Sequence, residues 1–323
     1  MTTNAELHVV FGAGQIGSGL ARLLRARGLR VRVVRRSAKA VGDGIEVVAG
    51  DARDPVFATS ASEGAAVIYH CMNPSGYTGR AWEAEFPLLG EALIAAALAH
   101  GARLVCLDNL YGYGPTDERR VETTPMRATG RKGAVRVRWN ARLEAAGAAG
   151  LRYTVLRPGD YFGPGVEQAL LTTEAVRGIA RGKRPLALGR ADVAHAFSYV
   201  PDVIAALAAL GTAEDKVESQ SFHAPILEVS TGELVERLGT ALGVRVSPRV
   251  LGGVGVALLS PFVGALRELR ETLYQWDRPF LASDARFRER FPGLATSLEE
   301  AVLETARAAQ ATTDDASAQA LAA

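Results

Sequence analysis

The sequence predicts an α/β fold with a doubly wound parallel sheet, followed by a smaller mixed α/β lobe. Three observations support this prediction. In the first half, short runs rich in β-branched residues alternate with Ala- and Leu-rich stretches. A glycine-rich turn joins the first predicted strand to the first predicted helix. Beyond about residue 160 this alternation ends, and short strands, helices and loops are mixed.

The predicted elements of the first half follow in order. Helix 16–27 has apolar residues spaced three and four apart, and Gly28 and Gly101 end two of the helices. Strands are predicted at 7–11, 31–34, 45–49, 66–70, 103–107 and 152–156, and helices at 16–27, 82–100 and 135–148. We expect one sheet with helices on both faces.

The expected organisation is two domains and a tail. A Rossmann-type domain is expected at 1–160, rejoined by about 191–215. The smaller C-terminal lobe is expected at 161–190 and 216–308. The tail 309–323, rich in Ala, Thr, Asp and Gln, is expected to be disordered.

Composition limits the class of protein. The 323 residues carry a formal net charge of +2, so no overall field would attract nucleic acid. Cys71 and Cys106 are the two cysteines, which suggests buried thiols in a reducing compartment, and we expect a cytoplasmic location. The apolar segment 250–266 is shorter than the ~20 residues of a membrane-spanning helix and is broken at Pro261. We therefore expect no membrane partner.

The turn after the first strand has the pattern Gly12-Ala13-Gly14-Gln15-Ile16-Gly17. Glycines allow the tight turn and a close backbone approach to a pyrophosphate. The helix that begins there offers backbone N–H groups and the positive end of its dipole to an anion. A strand, these glycines and a helix in this order predict a dinucleotide site, with Gly12, Gly14, Gln15, Ile16 and Gly17 as contacts.

The end of the second strand indicates which dinucleotide binds. A site for NAD(H) usually has Asp or Glu there to hold the ribose 2′-hydroxyl. This chain has Arg35-Arg36-Ser37 instead, and guanidinium groups favour a 2′-phosphate. We therefore expect NADP(H), with NAD(H) the less favoured cofactor. The alternative is that both arginines only cap a surface strand end.

Several motifs resemble the extended short-chain dehydrogenase/reductase family, which includes NAD-dependent epimerases and dehydratases. They are 108–115 (DNLYGYGP), 132–136 (KGAVR), 157–164 (RPGDYFGP) and 195–202 (HAFSYVPD). The resemblance implies that Asp51 contacts the adenine, and that Arg157 and Pro158 border the nicotinamide. Asn73, at the end of the fourth strand, could face the nicotinamide ribose or serve only the turn before Pro74.

The chain departs from the family pattern at its catalytic residues. The family has a Ser and a Tyr-x-x-x-Lys pair, and this sequence has Asn109, Lys132 and Arg136 at the matching places. The four-residue spacing puts Lys132 and Arg136 on one helix face. If burial and Arg136 lowered its pKa, Lys132 could donate the proton. Tyr111 or Tyr113 could also supply this acid from the neighbouring loop.

Three interpretations follow. The chain is a working oxidoreductase with altered proton donors, an NADP(H)-binding sensor without chemistry, or an enzyme of epimerisation or dehydration. Structural roles compete with each catalytic one. Lys132 could be a solvated residue at a helix start, Asn109 a turn residue, and Arg136 a ligand of the cofactor ribose or phosphate. The intact surrounding motifs favour an enzyme.

The substrate is expected to be a small molecule bound by the second lobe. Asp160, Tyr161 and His195 are the candidate contacts, although Asp160 could simply be a turn residue. Basic residues that could clamp a diphosphate are Arg177, Arg181, Lys183, Arg184 and Arg190. The apolar remainder of the lobe favours a hydrophobic or aromatic carbonyl compound over a sugar nucleotide.

Other ligands and partners are less clearly indicated. No spacing of His, Cys, Asp and Glu suggests a metal site. The Ala-rich faces of helices 82–100 and 135–148 would allow close helix approach, and the family often dimerises through this pair. A homodimer is therefore possible.

Overall fold

The computed structural model describes residues 5–214 and 217–321. The strands are β1 Leu7–Phe11, β2 Arg30–Arg35, β3 Glu46–Ala49, β4 Ala65–His70, β5 Arg103–Leu107, β6 Tyr153–Arg157, β7 Asp160–Phe162, β8 Leu186–Leu188, β9 Ala194–Tyr199, β10 Gln220–His223, β11 Leu227–Ser230 and β12 Arg249–Leu251. The helices are α1 Gln15–Ala26, α2 Pro55–Ala61, α3 Gly79–His100, α4 Arg131–Ala148, α5 Thr173–Ala180, α6 Val200–Thr212, α7 Thr231–Ala241, α8 Gly253–Leu259, α9 Gly264–Leu269, α10 Tyr274–Asp277, α11 Ala285–Arg290 and α12 Leu298–Leu321.

The predicted doubly wound sheet is confirmed. Seven parallel strands lie in the order β10-β6-β5-β4-β1-β2-β3. The chain moves outward from β1 through β2 and β3, and then continues on the other side of β1 through β4, β5 and β6. The strand order therefore reverses beside β1, and ligands of such sheets bind outside the carboxyl ends of the strands at this point.

Burial of the central strands explains their composition. All five residues of β1 are buried, which is typical of a parallel strand covered on both faces. His8 is the polar exception, and its Nδ1 is 2.9 Å from the hydroxyl of Tyr69 on the neighbouring β4. Burial, with a smaller contribution from Arg103, lowers the pKa of His8 to about 4, so the imidazole is neutral at pH 7.

Local signals define the ends of α3. The Thr78 side chain accepts a hydrogen bond from the backbone N–H of Ala81, and Gly101 ends the helix with φ +61°. The helix begins three residues earlier than the sequence predicted. Gly90 in its middle lies against the Trp139 ring of α4, and a Cβ there would be 2.4 Å from the ring. The two helices can approach closely because this position has no side chain.

The described residues form two compact units. Unit 1 contains those of Met1–Gly114, Glu122–Arg157 and Val203–Ala224, and unit 2 contains Pro115–Val121, Pro158–Asp202 and Pro225–Ala323. In unit 2, β11, β9 and β7 form a mixed sheet, with β9 antiparallel to β11 and parallel to β7, and β12 pairs with β8. This smaller mixed α/β unit agrees with the predicted fold class.

The boundaries differ from the expected ones. The Rossmann-type unit was expected to resume at 191–215, but β9 belongs to the mixed sheet of unit 2. Unit 1 resumes at Val203 and includes β10, which we had expected in the lobe. β10 pairs with β6 and completes the seven-stranded sheet. Its four residues, QSFH, lack both the length and the apolar pattern that would identify a buried strand.

The C-terminal segments give one correction and one agreement. The tail expected to be disordered from 309 continues α12 as far as Leu321, and residues 322–323 lie outside the described range. Its many alanines have high intrinsic helix propensity. The apolar segment around Pro261 forms α8 and α9 with a break between them. In the part of the chain that the structure describes, no helix is long and apolar enough to cross a membrane.

Candidate active site

The glycine loop between β1 and α1 is folded tightly against β4. The backbone N–H of Gly12 donates to the carbonyl of Val34, and its φ of +102° is in the region that favours glycine. A Cβ at Gly12 would lie 2.6 Å from the carbonyl oxygen of Cys71, and one at Gly17 would lie 1.9 Å from that of Gly12. At Gly14, by contrast, no heavy atom lies within 4 Å of the position of a Cβ. The loop therefore requires glycine twice and has open space at Gly14.

The start of α1 has the electrostatic character that an anion requires. Its N-cap is Gly14, which makes no side-chain cap, and no acidic residue lies in the first turn. Ile16 is buried beneath this turn, and the Ser18 hydroxyl donates to the carbonyl of Ala13, which holds the loop to the helix. The positive end of the helix dipole therefore faces the open space at Gly14.

Two arginines follow β2, as the sequence indicated, and their surroundings differ. Arg35 is half-buried, and its Nη1 donates to the carbonyl of Lys39 at 3.1 Å. Arg36 is exposed. Asp51 forms two side-chain hydrogen bonds with the guanidinium of Arg53, at 2.9 and 2.7 Å. These bonds, with a smaller contribution from Arg36, lower the pKa of Asp51 to about 2.

Two of the sequence assignments concern turns. Asp54 caps α2, because its carboxylate accepts a hydrogen bond from the backbone N–H of Val56, as its position predicted. Asn109 is half-buried, and its Oδ1 accepts from the backbone N–H of Tyr111 at 3.0 Å. The Asn109 side chain thus stabilises the turn after β5.

Lys132 and Arg136 are both buried on α4, one turn apart. Arg136 Nη1 is 3.1 Å from Asp108 Oδ1, an ion pair without hydrogen-bond alignment, and its Nη2 donates to Asn73 Oδ1 at 3.0 Å. The same guanidinium lies 4.1 Å from the centroid of the Phe86 ring. Asn73 is thus joined to α4, at the carboxyl edge of the sheet.

Asp108 connects this arginine to a second one. Its side chain is fully buried at the end of β5 and accepts a hydrogen bond from Asn140 Nδ2 at 2.8 Å. Arg157 Nε lies 3.6 Å from the same carboxylate, and its Nη2 donates to Asn140 Oδ1 at 2.6 Å. Asp108 and Asn140 were not predicted from the sequence. An Asp at the end of an apolar run was the available signal, because Asp is rarely buried without a partner.

Tyr113 belongs to this buried network. Its hydroxyl accepts from Arg157 Nη1 at 2.8 Å and lies 2.8 Å from His223 Nε2. Since a guanidinium can only donate, the hydroxyl proton points to His223. Burial is the main cause that raises the pKa of Tyr113, and Arg157 opposes the shift. The structure therefore engages both sides of this hydroxyl inside unit 1.

A second hydroxyl pair lies beside Lys132. The hydroxyls of Tyr111 and Tyr77 are 2.9 Å apart, and Lys132 Nζ lies 4.6 Å from the centroid of the Tyr77 ring. The ring of Trp82 stacks on Tyr111 and meets Tyr77 edge-on. Tyr77 was not predicted, because it lies in the loop between β4 and α3 and belongs to no motif. The Lys132, Tyr77 and Tyr111 side chains form the phenol cluster.

Unit 2 contains another close pair of candidate residues. His195 Nε2 is 2.8 Å from Asp160 Oδ2, and its Nδ1 is 2.9 Å from the carbonyl of Gln275. Tyr161 follows Asp160 on β7, so the two side chains leave opposite faces of the sheet. Pro158, which follows β6, is buried. Within 5–214 and 217–321, no three His, Cys, Asp or Glu side chains could together hold a metal ion.

Comparison with known proteins identifies the chain's relatives. A sequence model of the "NAD dependent epimerase/dehydratase family" matches residues 8–223. The UDP-glucose 4-epimerase of Thermotoga maritima, solved with UDP-glucose, is 18% identical, with a TM-score of 0.76 and 95% of this chain and 99% of that chain covered. The UDP-glucose 4-epimerase of Thermus thermophilus, solved with NAD, is 21% identical, with a TM-score of 0.73 and coverages of 94% and 99%.

A third similar structure is the UDP-glucuronic acid 4-epimerase of Bacillus cereus, solved with NAD. It is 13% identical, with a TM-score of 0.76, and the alignment covers 95% of this chain and 99% of that one. At these identities the likeness shows a common fold. No curated protein matches the sequence.

We predict that Asp108→Asn lowers the free energy of unfolding by about 3–5 kcal/mol, because it leaves two buried arginines without their carboxylate. Urea denaturation followed by circular dichroism measures this. Asp192→Asn is the matched control, since it removes a carboxylate from an exposed pair with Arg190 and should leave stability unchanged. Equal effects of the two substitutions would contradict a structural role for the Asp108 network.

Proposed function

Because the chain belongs to the NAD-dependent epimerase/dehydratase family, we propose that it is an enzyme that binds a nicotinamide dinucleotide and acts on a small organic carbonyl or hydroxyl compound. The observation that carries the proposal is the glycine loop. Gly12 and Gly17 have no room for a Cβ, whereas the space at Gly14 is open at the start of an uncapped helix. This cradle fits a pyrophosphate, held by backbone N–H groups.

The cofactor choice rests on the end of β2. The Thermus and Bacillus neighbours were solved with NAD, which supports a nicotinamide dinucleotide here. We propose NADP(H), with Arg36 as the main contact to the 2′-phosphate, because Arg36 is exposed whereas Arg35 already donates to a carbonyl. A nicotinamide dinucleotide, when bound, supplies a hydride donor or acceptor.

The phenol cluster is the proposed source of the substrate proton. One of the two hydroxyls donates to the other, so the accepting phenol keeps its own proton for a substrate oxygen. The Lys132 ammonium beside the Tyr77 ring favours the phenolate that remains after proton transfer. Arg136, paired with Asp108 and bonded to Asn73, would hold the ribose side of the site. Tyr113 is excluded from the proposed donors because its hydroxyl is engaged by Arg157 and His223.

Two further parts of the proposal have separate support. A catalytically silent NADP(H)-binding sensor is the alternative function, favoured by the use of the Asn109 side chain in its own turn. Binding of dinucleotide without turnover on any compound would support it. A homodimer through α3 and α4 is also proposed, because Leu88 and Leu98 of α3 are exposed large hydrophobic residues.

We predict that Arg36→Ala weakens NADPH binding about 10- to 100-fold and leaves NADH binding nearly unchanged, since a charge-assisted hydrogen bond contributes about 1.5–3 kcal/mol. Fluorescence titration with both dinucleotides measures this. Lys39→Ala, which removes an exposed positive charge from the same loop, is the control and should have a much smaller effect. An equal loss for NADPH and NADH would contradict the 2′-phosphate assignment.

We also predict that Tyr111→Phe or Tyr77→Phe lowers kcat for NADPH-dependent carbonyl reduction about 100-fold or more, the typical contribution of a positioned general acid. The Kd for NADPH should not change. A panel of aromatic and aliphatic carbonyl compounds identifies the substrate first. Tyr153→Phe removes a phenol of β6 outside the cluster and serves as the control. Full activity in both test variants would rule out the phenol cluster as the acid.

A further inference from the structure

The contacts of His195 determine the protonation of its pair with Asp160. The Gln275 carbonyl can only accept a hydrogen bond, so the Nδ1 beside it carries a proton. At Nε2, 2.8 Å from Asp160 Oδ2, the hydrogen bond needs one further proton, whether it is bound to nitrogen or to oxygen. In both forms the pair as a whole is neutral. The pair is thus a carboxyl group with a shared proton.

The surroundings of the imidazole keep it in this position. The His195 side chain is buried among aromatic rings, with Trp276 stacked at 7° and Phe280 at 24°. Phe197 packs at a centroid distance of 4.8 Å. Asp160, in contrast, is one quarter exposed, and within the described residues His195 is the partner that its carboxyl group bonds. The Oδ1 oxygen is thus available as a hydrogen-bond acceptor held by a rigid support.

The basic residues of unit 2 show the opposite of what a diphosphate site needs. Four of the five arginines and lysines that the sequence suggested as a clamp are engaged within the unit. Arg177 and Arg181 pair with Glu174, and Arg190 forms two hydrogen bonds with Asp192. The Arg184 guanidinium donates to two backbone carbonyls, at 3.0 and 2.9 Å. A phosphate would have to displace these partners.

We propose that Asp160, positioned by His195, binds a hydroxyl group of the substrate, and that this substrate carries no diphosphate. The inference rests on the proposed function, whose substrate class it narrows. A carboxyl oxygen accepts hydrogen bonds from alcohols and, as a carboxylate, repels phosphate. The substrate class is then a small alcohol, diol or hydroxy-ketone rather than a nucleotide sugar such as the one bound to the Thermotoga maritima neighbour.

The shared proton is tested on the intact protein by NMR with 15N-labelled histidine. His195 is assigned by comparison with His195→Gln. We expect a downfield proton resonance in the hydrogen bond between Nε2 and Oδ2 near neutral pH. Asp160→Asn should abolish it, because an amide cannot balance a buried imidazolium. Since Asp160 is partly exposed, this variant should fold, and its thermal unfolding checks that. A wild-type His195 without this proton would overturn the proposed pair.

Binding of two probes to the complex with NADP⁺ then tests the substrate class. We expect 1-phenyl-1,2-ethanediol to shift the His195 resonances saturably, and Asp160→Asn to weaken its binding about tenfold. UDP-glucose should show no saturable binding in calorimetry. His195 resonances that do not respond to the diol, or saturable binding of UDP-glucose, would overturn the inference. A failure of the proposed function would be distinguishable, because the wild type would then not bind NADP⁺ in the first step.

Discussion

The buried carboxylate of Asp108 fixes the geometry of the carboxyl edge of the main sheet. It lies at the end of β5 and pairs with Arg136 of α4 and Arg157 of β6. Separating a buried ion pair is costly, so these elements cannot shift independently. Arg136 extends the connection to Asn73 after β4. The residues that follow three neighbouring strands are thereby held in one polar network, beside the point where the strand order reverses.

The charges at this edge explain why a binding site and a departure from the family's catalytic residues can coexist. Lys132, Arg136 and Arg157 are buried, and Asp108 is the buried carboxylate that pairs with both arginines. An anionic ligand is favoured near such a group. In the family, the corresponding Tyr and Lys supply acid and charge from one helix face. Here the same helix face supplies positive charge twice, and the proposed acid comes from the loop tyrosines.

Sequence patterns predicted those features that depend on local chemistry. The glycine loop, the alternation of strands and helices and the Asp54 cap each follow from a few consecutive residues. The network around Asp108 and Asn140 was missed because it joins residues that are 32 apart, and Tyr77 was missed because its loop has no pattern. Asp160 and His195 were each named as candidates. Their pairing depends on β7 lying beside β9, which neither strand's sequence encodes alone.

The most direct test of the central claim, that the carboxyl edge around Gly14 is a dinucleotide site, is a titration of the purified chain with NADPH and NADH, followed by nicotinamide fluorescence. The account predicts saturable binding with one site per chain, and tighter binding of NADPH than of NADH. Absence of binding for both dinucleotides would contradict the assignment of the glycine loop, and with it the proposed function.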